Sequence, residues 1–186
     1  MPVLARAAGR IRDAAAGRLR FDYDIASVPV SSGGRTESVL DPEAELRRIE
    51  RAARIAKGRV GIVLTDRRLA DNWFSHWHEA QRTAVISTAG WTTDTTVPAE
   101  AFAAYELVLH GLRRLGGGWV PEDLAHPHTN GCLFDFCRRR KDVDAKLHLG
   151  EICSPCQGRL SAEGFDVLLA LELAGLVGEI AEGVRA

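Results

Sequence analysis

Four cysteines, Cys132, Cys137, Cys153 and Cys156, are the residues of this chain whose type and spacing most directly imply chemistry. They fall as C-x4-C, then 15 residues, then C-x2-C. Two short pairs deliver two thiolates each from tight turns, and zinc takes four such ligands in a tetrahedron at about 2.3 Å. Gly131 before the first pair and Pro155 inside the second suit such turns. Four protein ligands leave no coordination position for water, so the expectation is one structural Zn2+ at a four-cysteine subsite that contributes to folding. An iron–sulfur cluster, buried free thiols and disulfides are the competing readings.

Six histidines supply the next donors: His76, His78, His110, His126, His128 and His148. Glu106 and His110 are four residues apart and share a helix face. With His126 or His128 they would make a second metal site, a nitrogen and oxygen set that leaves one position open, as catalytic zinc does. The competing reading is a helix ion pair beside a loop with two ordinary histidines. His76 and His78 flank Trp77 and point to one side if the segment is extended. The run from Asp71 to His78 holds two tryptophans and reads as a recognition surface or as a lid.

These donors need elements to hold them. Pro2 to Leu19 reads as a helix and Arg20 to Val30 as a strand with Phe21, Tyr23 and Ile25 on one side. Ser31 to Ser38 is a loop. Asp41-Pro42-Glu43 opens a helix that runs to about Ala56, with Asp41 as its cap. Arg59 to Thr65 and Thr83 to Thr88 are apolar, β-rich strands, and Asp66 to Arg82 is irregular. Pro98 to Gly116 is a helix with a stripe of Phe102, Tyr105, Leu109 and Leu112. Trp119 to Gly131 is a loop, and Ser161 to Val184 is one long helix. Between Cys132 and Cys137, Phe134 and Phe136 are expected in the core. Asp135 either points outward or accepts backbone N–H groups of the turn. Arg138 to Lys141 is a solvated helix face or an anion-binding patch. The order of elements gives an α+β fold, a mixed layer around one twisted sheet. It reads as a single domain, 1–186, with an N-terminal helix (1–19), a sheet and helix region (20–130), a zinc loop (131–160) and a C-terminal helix (161–186).

The order of motifs resembles the archaemetzincins, a family of zinc metallopeptidases. Their pattern, H-E-x-x-H-x-x-G-x-x-H followed at once by C-x4-C and later by C-x2-C, is matched in its cysteine half. IASVPV resembles the family's first strand, GIVLTDRRLADN its strand ending in a Thr-Asp turn, and RTAVISTAGW its later edge strand. The resemblance covers roughly residues 20 to 160. It implies a metzincin-like twisted sheet with packed helices and a zinc cofactor. The active-site half departs from the pattern. Counted back from Cys132, the histidine positions hold Pro121, Ala125 and Gly131, and Glu122 alone keeps the place of the general base. Taking His110 as the first histidine puts Gly111 at the base and Arg114 at the second ligand. Peptidase chemistry needs the ligands and the carboxylate together, because the carboxylate deprotonates a water held by the metal.

Composition narrows the function classes. The chain has 186 residues and a formal net charge of -1, which argues against general nucleic-acid binding. No apolar run approaches the length of a membrane span, and the arginine-bearing N-terminus has no signal-peptide core. The expected compartment is the cytoplasm, where clustered cysteines read as metal ligands. Three readings follow. The first is a zinc-stabilised, non-catalytic module of metallopeptidase descent that binds a protein or peptide. The second is an active zinc hydrolase with a rearranged site using His110 and His126 or His128. The third is a nucleic-acid-associated zinc module that uses Arg138 to Lys141.

Overall fold

The structure is a computed structural model. It describes residues 2–14, 39–53, 60–78, 83–115, 124, 126 and 128–183. The strand expected over 20–30, the loop 31–38 and Glu122 lie outside these residues. The described elements are α1 (Pro2–Ala14), α2 (Pro42–Ala53), β1 (Gly61–Thr65), β2 (Ser75–His78), β3 (Thr83–Ser87), α3 (Trp91–Asp94), α4 (Ala99–Leu115), α5 (Arg140–Leu149), α6 (Ser154–Ala162) and α7 (Val167–Ala181). The architecture is α+β, as the order of sequence patterns implies. The chain groups into two compact units, Met1–Asp24 with Thr92–Ala186, and Ile25–Trp91.

In the unit Ile25–Trp91, a three-stranded sheet has the order β1-β3-β2. β3 runs parallel to β1, with Val63 opposite Val85. It runs antiparallel to β2, with His76 opposite Val85. A central strand has neighbours on both edges, and every residue of TAVIS is buried. That explains its unbroken apolar character. α2 starts where Asp41 Oδ1 accepts the Glu43 N–H at 3.0 Å, the cap its sequence implies. Leu40, Leu46, Leu69 and Val85 form the unit's core, with Val63 packed against it. β2 corrects the sequence reading of Asp66 to Arg82 as wholly irregular. SHWH is too short and too polar to show a strand period, and it becomes a strand by pairing with β3. His76 Nε2 lies 2.6 Å from Asp71 Oδ2.

The other unit is built on helices. α4 buries Ala101, Phe102, Tyr105, Val108 and Leu112, and it packs against α1 and α7. The start of α4 is fixed to α5 by Asp144, whose carboxylate accepts the Thr96 N–H at 3.0 Å, the Val97 N–H at 3.1 Å and the Thr96 hydroxyl at 2.7 Å. Partial burial works against that carboxylate's charge. The bonds from Thr96 and Val97 outweigh it and hold the group below its ordinary range.

The long helix expected over Ser161 to Val184 is two helices. Gly164 turns at φ +78° after α6, a left-handed step that ends a helix. Asp166 then caps α7 by accepting the Leu169 N–H at 3.0 Å. The Ser-Ala-Glu segment expected to open the helix instead ends α6 and leads into the turn at Gly164. Gly150 ends α5 at φ +57° and lies against α7. A Cβ there would stand 2.7 Å from the Ala174 carbonyl oxygen and 2.9 Å from the Gly178 Cα. Gly150→Ala therefore combines left-handed strain with a backbone clash. It is expected to cost about 2 kcal/mol or more in urea denaturation.

Candidate metal centre

Two short backbone bridges build the site. His126 pairs with Asp135 and Cys132 with Glu151. His126 N–H donates to the Phe134 carbonyl at 3.4 Å, Phe136 N–H to the His126 carbonyl at 3.2 Å, and Leu133 N–H to the Glu151 carbonyl at 2.7 Å. The segment holding His126, the turn of Cys132 and the start of α6 thus lie side by side. Gly131 adopts φ +91° just before Cys132, where a Cβ would meet the Leu149 side chain at 2.1 Å. Asp135 closes the turn. It is buried, and its Oδ2 accepts the Asn130 N–H at 2.8 Å and the Gly131 N–H at 2.7 Å. This settles the two expectations for Asp135 in favour of the backbone bonds. Asn130 Oδ1 in turn accepts the Cys132 N–H at 3.0 Å.

This framework brings together His126, Cys132, Cys153 and Cys156, whose donor atoms all lie within 4.8 Å of one another. His126 Nε2 is 3.1 Å from Cys156 Sγ and 3.3 Å from Cys153 Sγ. Bonds of about 2.3 Å to sulfur and 2.0 Å to nitrogen at tetrahedral angles separate the donors by ~3.5–3.8 Å. The set is therefore already at near-ligating spacing. Cys132 Sγ receives the N–H groups of Phe134 and Cys153, each at 3.5 Å. Such N–H to sulfur bonds stabilise a thiolate and fix its direction. Cys153 is the N-cap of α6, with Pro155 in the first turn, so Cys156 sits one turn along the same helix.

The four cysteines expected to share a site do not all meet in the structure. Cys137 does not join the group, and His126 takes the fourth place. The Cys137 thiol is buried 3.7 Å from the Asp135 carbonyl oxygen, in the surroundings of Lys146. The bridge to Asp135 brings His126 to the cysteines, while the chain after Asp135 carries Cys137 away. The sequence carried a signal, because His126 precedes Cys132 by six residues. His128 stands as close, however, and only the bridge separates them; His128 is exposed.

Burial pushes the Cys132 and Cys156 thiols up, and at Cys156 the neighbouring Cys132 and Cys153 sulfurs push the same way. Sulfurs crowded in a dry site resist ionisation unless a positive charge lies between them. A divalent ion would supply that charge. Three thiolates and one imidazole form a soft, closed set of the kind that selects zinc.

The second site expected from Glu106, His110 and His126 or His128 does not assemble. His126 belongs to the sulfur group, and that group is the only cluster of three or more metal donors among the described residues. Glu106 and His110 instead form a buried pair in α4, with 3.3 Å between Oε2 and Nε2. Next to it, Lys146 is buried too. Its Nζ donates to the Tyr105 hydroxyl at 2.8 Å and to the Asp135 carbonyl at 3.1 Å. Burial works against its charge, but Tyr105, Cys137 and Glu106 outweigh that and raise its affinity for the proton. This ammonium ties α4 and α5 to the turn of the metal centre. Lys146→Met keeps the stem and removes both hydrogen bonds. It is expected to lower stability by about 1–3 kcal/mol by urea denaturation, with metal content unchanged.

Phe134 is buried as expected, but Phe136 is 44% exposed, because Asp135 is the residue that turns inward. Arg139 pairs with Asp142 and Arg140 with Asp94, so half of the basic run is engaged in intramolecular ion pairs. No described helix is long and apolar enough to cross a membrane. Comparison of the chain with protein-family models, with curated proteins and with solved structures finds no match.

Proposed function

We propose that this protein is a zinc-stabilised module whose metal is structural, held by His126, Cys132, Cys153 and Cys156. One observation carries the reading: three sulfurs and an imidazole nitrogen lie within 4.8 Å of one another. Four protein donors complete a tetrahedron, so bound zinc supplies charge neutralisation and crosslinking there and has no position for a reacting water. A rearranged hydrolase is disfavoured, since His126 is committed to the sulfurs and Glu106–His110 lacks a third donor among the described residues.

The motif order supports a narrower version. In it, an archaemetzincin-like, metzincin-like fold has lost peptidase chemistry and acts by binding a protein or peptide, with an extended peptide pairing along a sheet edge. The chain purified under reducing conditions tests the core of the proposal. Elemental analysis should return one zinc per chain. Cobalt substitution should give the tetrahedral spectrum of a site with three sulfurs and one nitrogen. A metal-free chain with the same fold defeats the proposal. A second bound equivalent, with peptidase activity, would favour the hydrolase.

Affinity should depend steeply on pH. Zinc binds thiolates, and burial pushes the Cys132 and Cys156 thiols above their ordinary range. Binding therefore expels protons, and lowering the pH opposes it. With two protons released, affinity should fall at least about 100-fold for each pH unit between 8 and 6. Competition with a chelating dye reads this directly.

A further inference from the structure

We infer that Cys153 and Cys156 are a redox-active pair, which a hydroperoxide converts to a disulfide and so dismantles the metal centre. The inference rests on the zinc reading above and adds a regulatory modification to the same site.

Exposure singles out the first thiol. Cys132 is 2% exposed and Cys156 3%, whereas Cys153 is half-buried. A peroxide arriving from solvent meets Cys153 before the other two sulfurs. Chain connectivity singles out the second. Cys153 caps α6 and Cys156 stands three residues on, with their sulfurs within 4.8 Å. Pro155 holds the intervening turn rigid, so closure needs little backbone movement. Cys132 is a poorer partner. It sits on a separate segment, 2% exposed, and the bridge to Glu151 fixes its backbone.

The chemistry balances with one peroxide. The Cys153 sulfur attacks a peroxide oxygen, the O–O bond breaks, and one water leaves, giving a sulfenic acid. The Cys156 sulfur then attacks the Cys153 sulfur. An S–S bond forms, the S–O bond breaks, and the hydroxyl leaves as a second water. Two zinc-bound thiolates are oxidised, one hydrogen peroxide is reduced, and two protons taken up from solvent complete the two waters. Two of the four donors are then consumed. His126 and Cys132 alone are too few to retain zinc in competition with water.

The test treats the zinc-loaded full chain with equimolar hydrogen peroxide. A chelating dye follows zinc, and peptide mass spectrometry maps the disulfide. The expected result is one zinc released per chain, a Cys153–Cys156 linkage, and recovery with dithiothreitol and added zinc. Cys137 is the internal control. It should stay reduced, reacting at least about tenfold more slowly than Cys153, and Cys137→Ser should release zinc at the parental rate. Linkage through Cys132 or Cys137, or zinc release without the Cys153–Cys156 disulfide, overturns the inference. Zinc content before peroxide judges the metal reading separately. If the chain carries none, the disulfide map of the metal-free chain in a glutathione redox buffer still decides whether this pair forms.

Discussion

His126→Ala is expected to abolish tight zinc binding, whereas Cys137→Ser leaves it intact. The two substitutions oppose the motif to the geometry. Spacing alone pairs Cys137 with Cys132, and only the folded chain puts His126 Nε2 at 3.1 Å and 3.3 Å from two of the sulfurs. Changing a residue that merely orients a ligand commonly weakens metal binding by 10- to 100-fold, so losing a direct ligand should weaken it by at least about 100-fold. Cys137 lies in the surroundings of Lys146 and Asp135, outside the donor group. Its replacement should alter local packing and leave zinc stoichiometry at one. Competition against a chelating dye measures both variants. The reverse outcome, zinc lost with Cys137 and kept without His126, would return the site to four cysteines.

Stripping the metal with a chelator is the second large effect. Metal binding at such a site is folding free energy, because the donors converge only in the ordered chain. Without the cation, the crowded sulfurs hold their protons and the bridges at His126–Asp135 and Cys132–Glu151 lose the crosslink that ties them. Stability of this region should fall by several kcal/mol, with the melting transition down by about 10 °C or more. Hydrogen exchange gives the sharper readout, since stability is not uniform along a chain. The amides of Leu133 and Phe136 and the first turn of α6 should lose protection. The amides of β1 and β3, in the other unit, should keep theirs. Uniform loss across both units would mean that the metal is not a local fastener.

The candidate site was partly legible because two short cysteine pairs, close together along the chain, announce a metal subsite. The capped start of α2, the strands β1 and β3 and most of the stripe of α4 were legible for a similar reason, although β1 is only half-buried and Leu109 of the stripe is too. Each is written in local chemistry, whether a carboxylate before a proline, a run of β-branched residues or an apolar period. Elements without a local signal were not. SHWH becomes β2 only because β3 offers it hydrogen bonds, and the break between α6 and α7 turns on the backbone of Gly164.

What the amino-acid sequence determined by itself is that soft metal donors cluster late in an α+β chain whose remaining patterns alternate helix and strand. What the tertiary structure alone decided is which donors meet. Cys132 and Cys137 are near in sequence but face different surroundings, because Asp135 turns inward to bind the N–H groups of Asn130 and Gly131. That inward turn, and the bridge it makes to His126, are contacts between residues that do not repeat with any local period. Ligation depends on distances of a few ångströms between such segments, and spacing along the chain does not encode them.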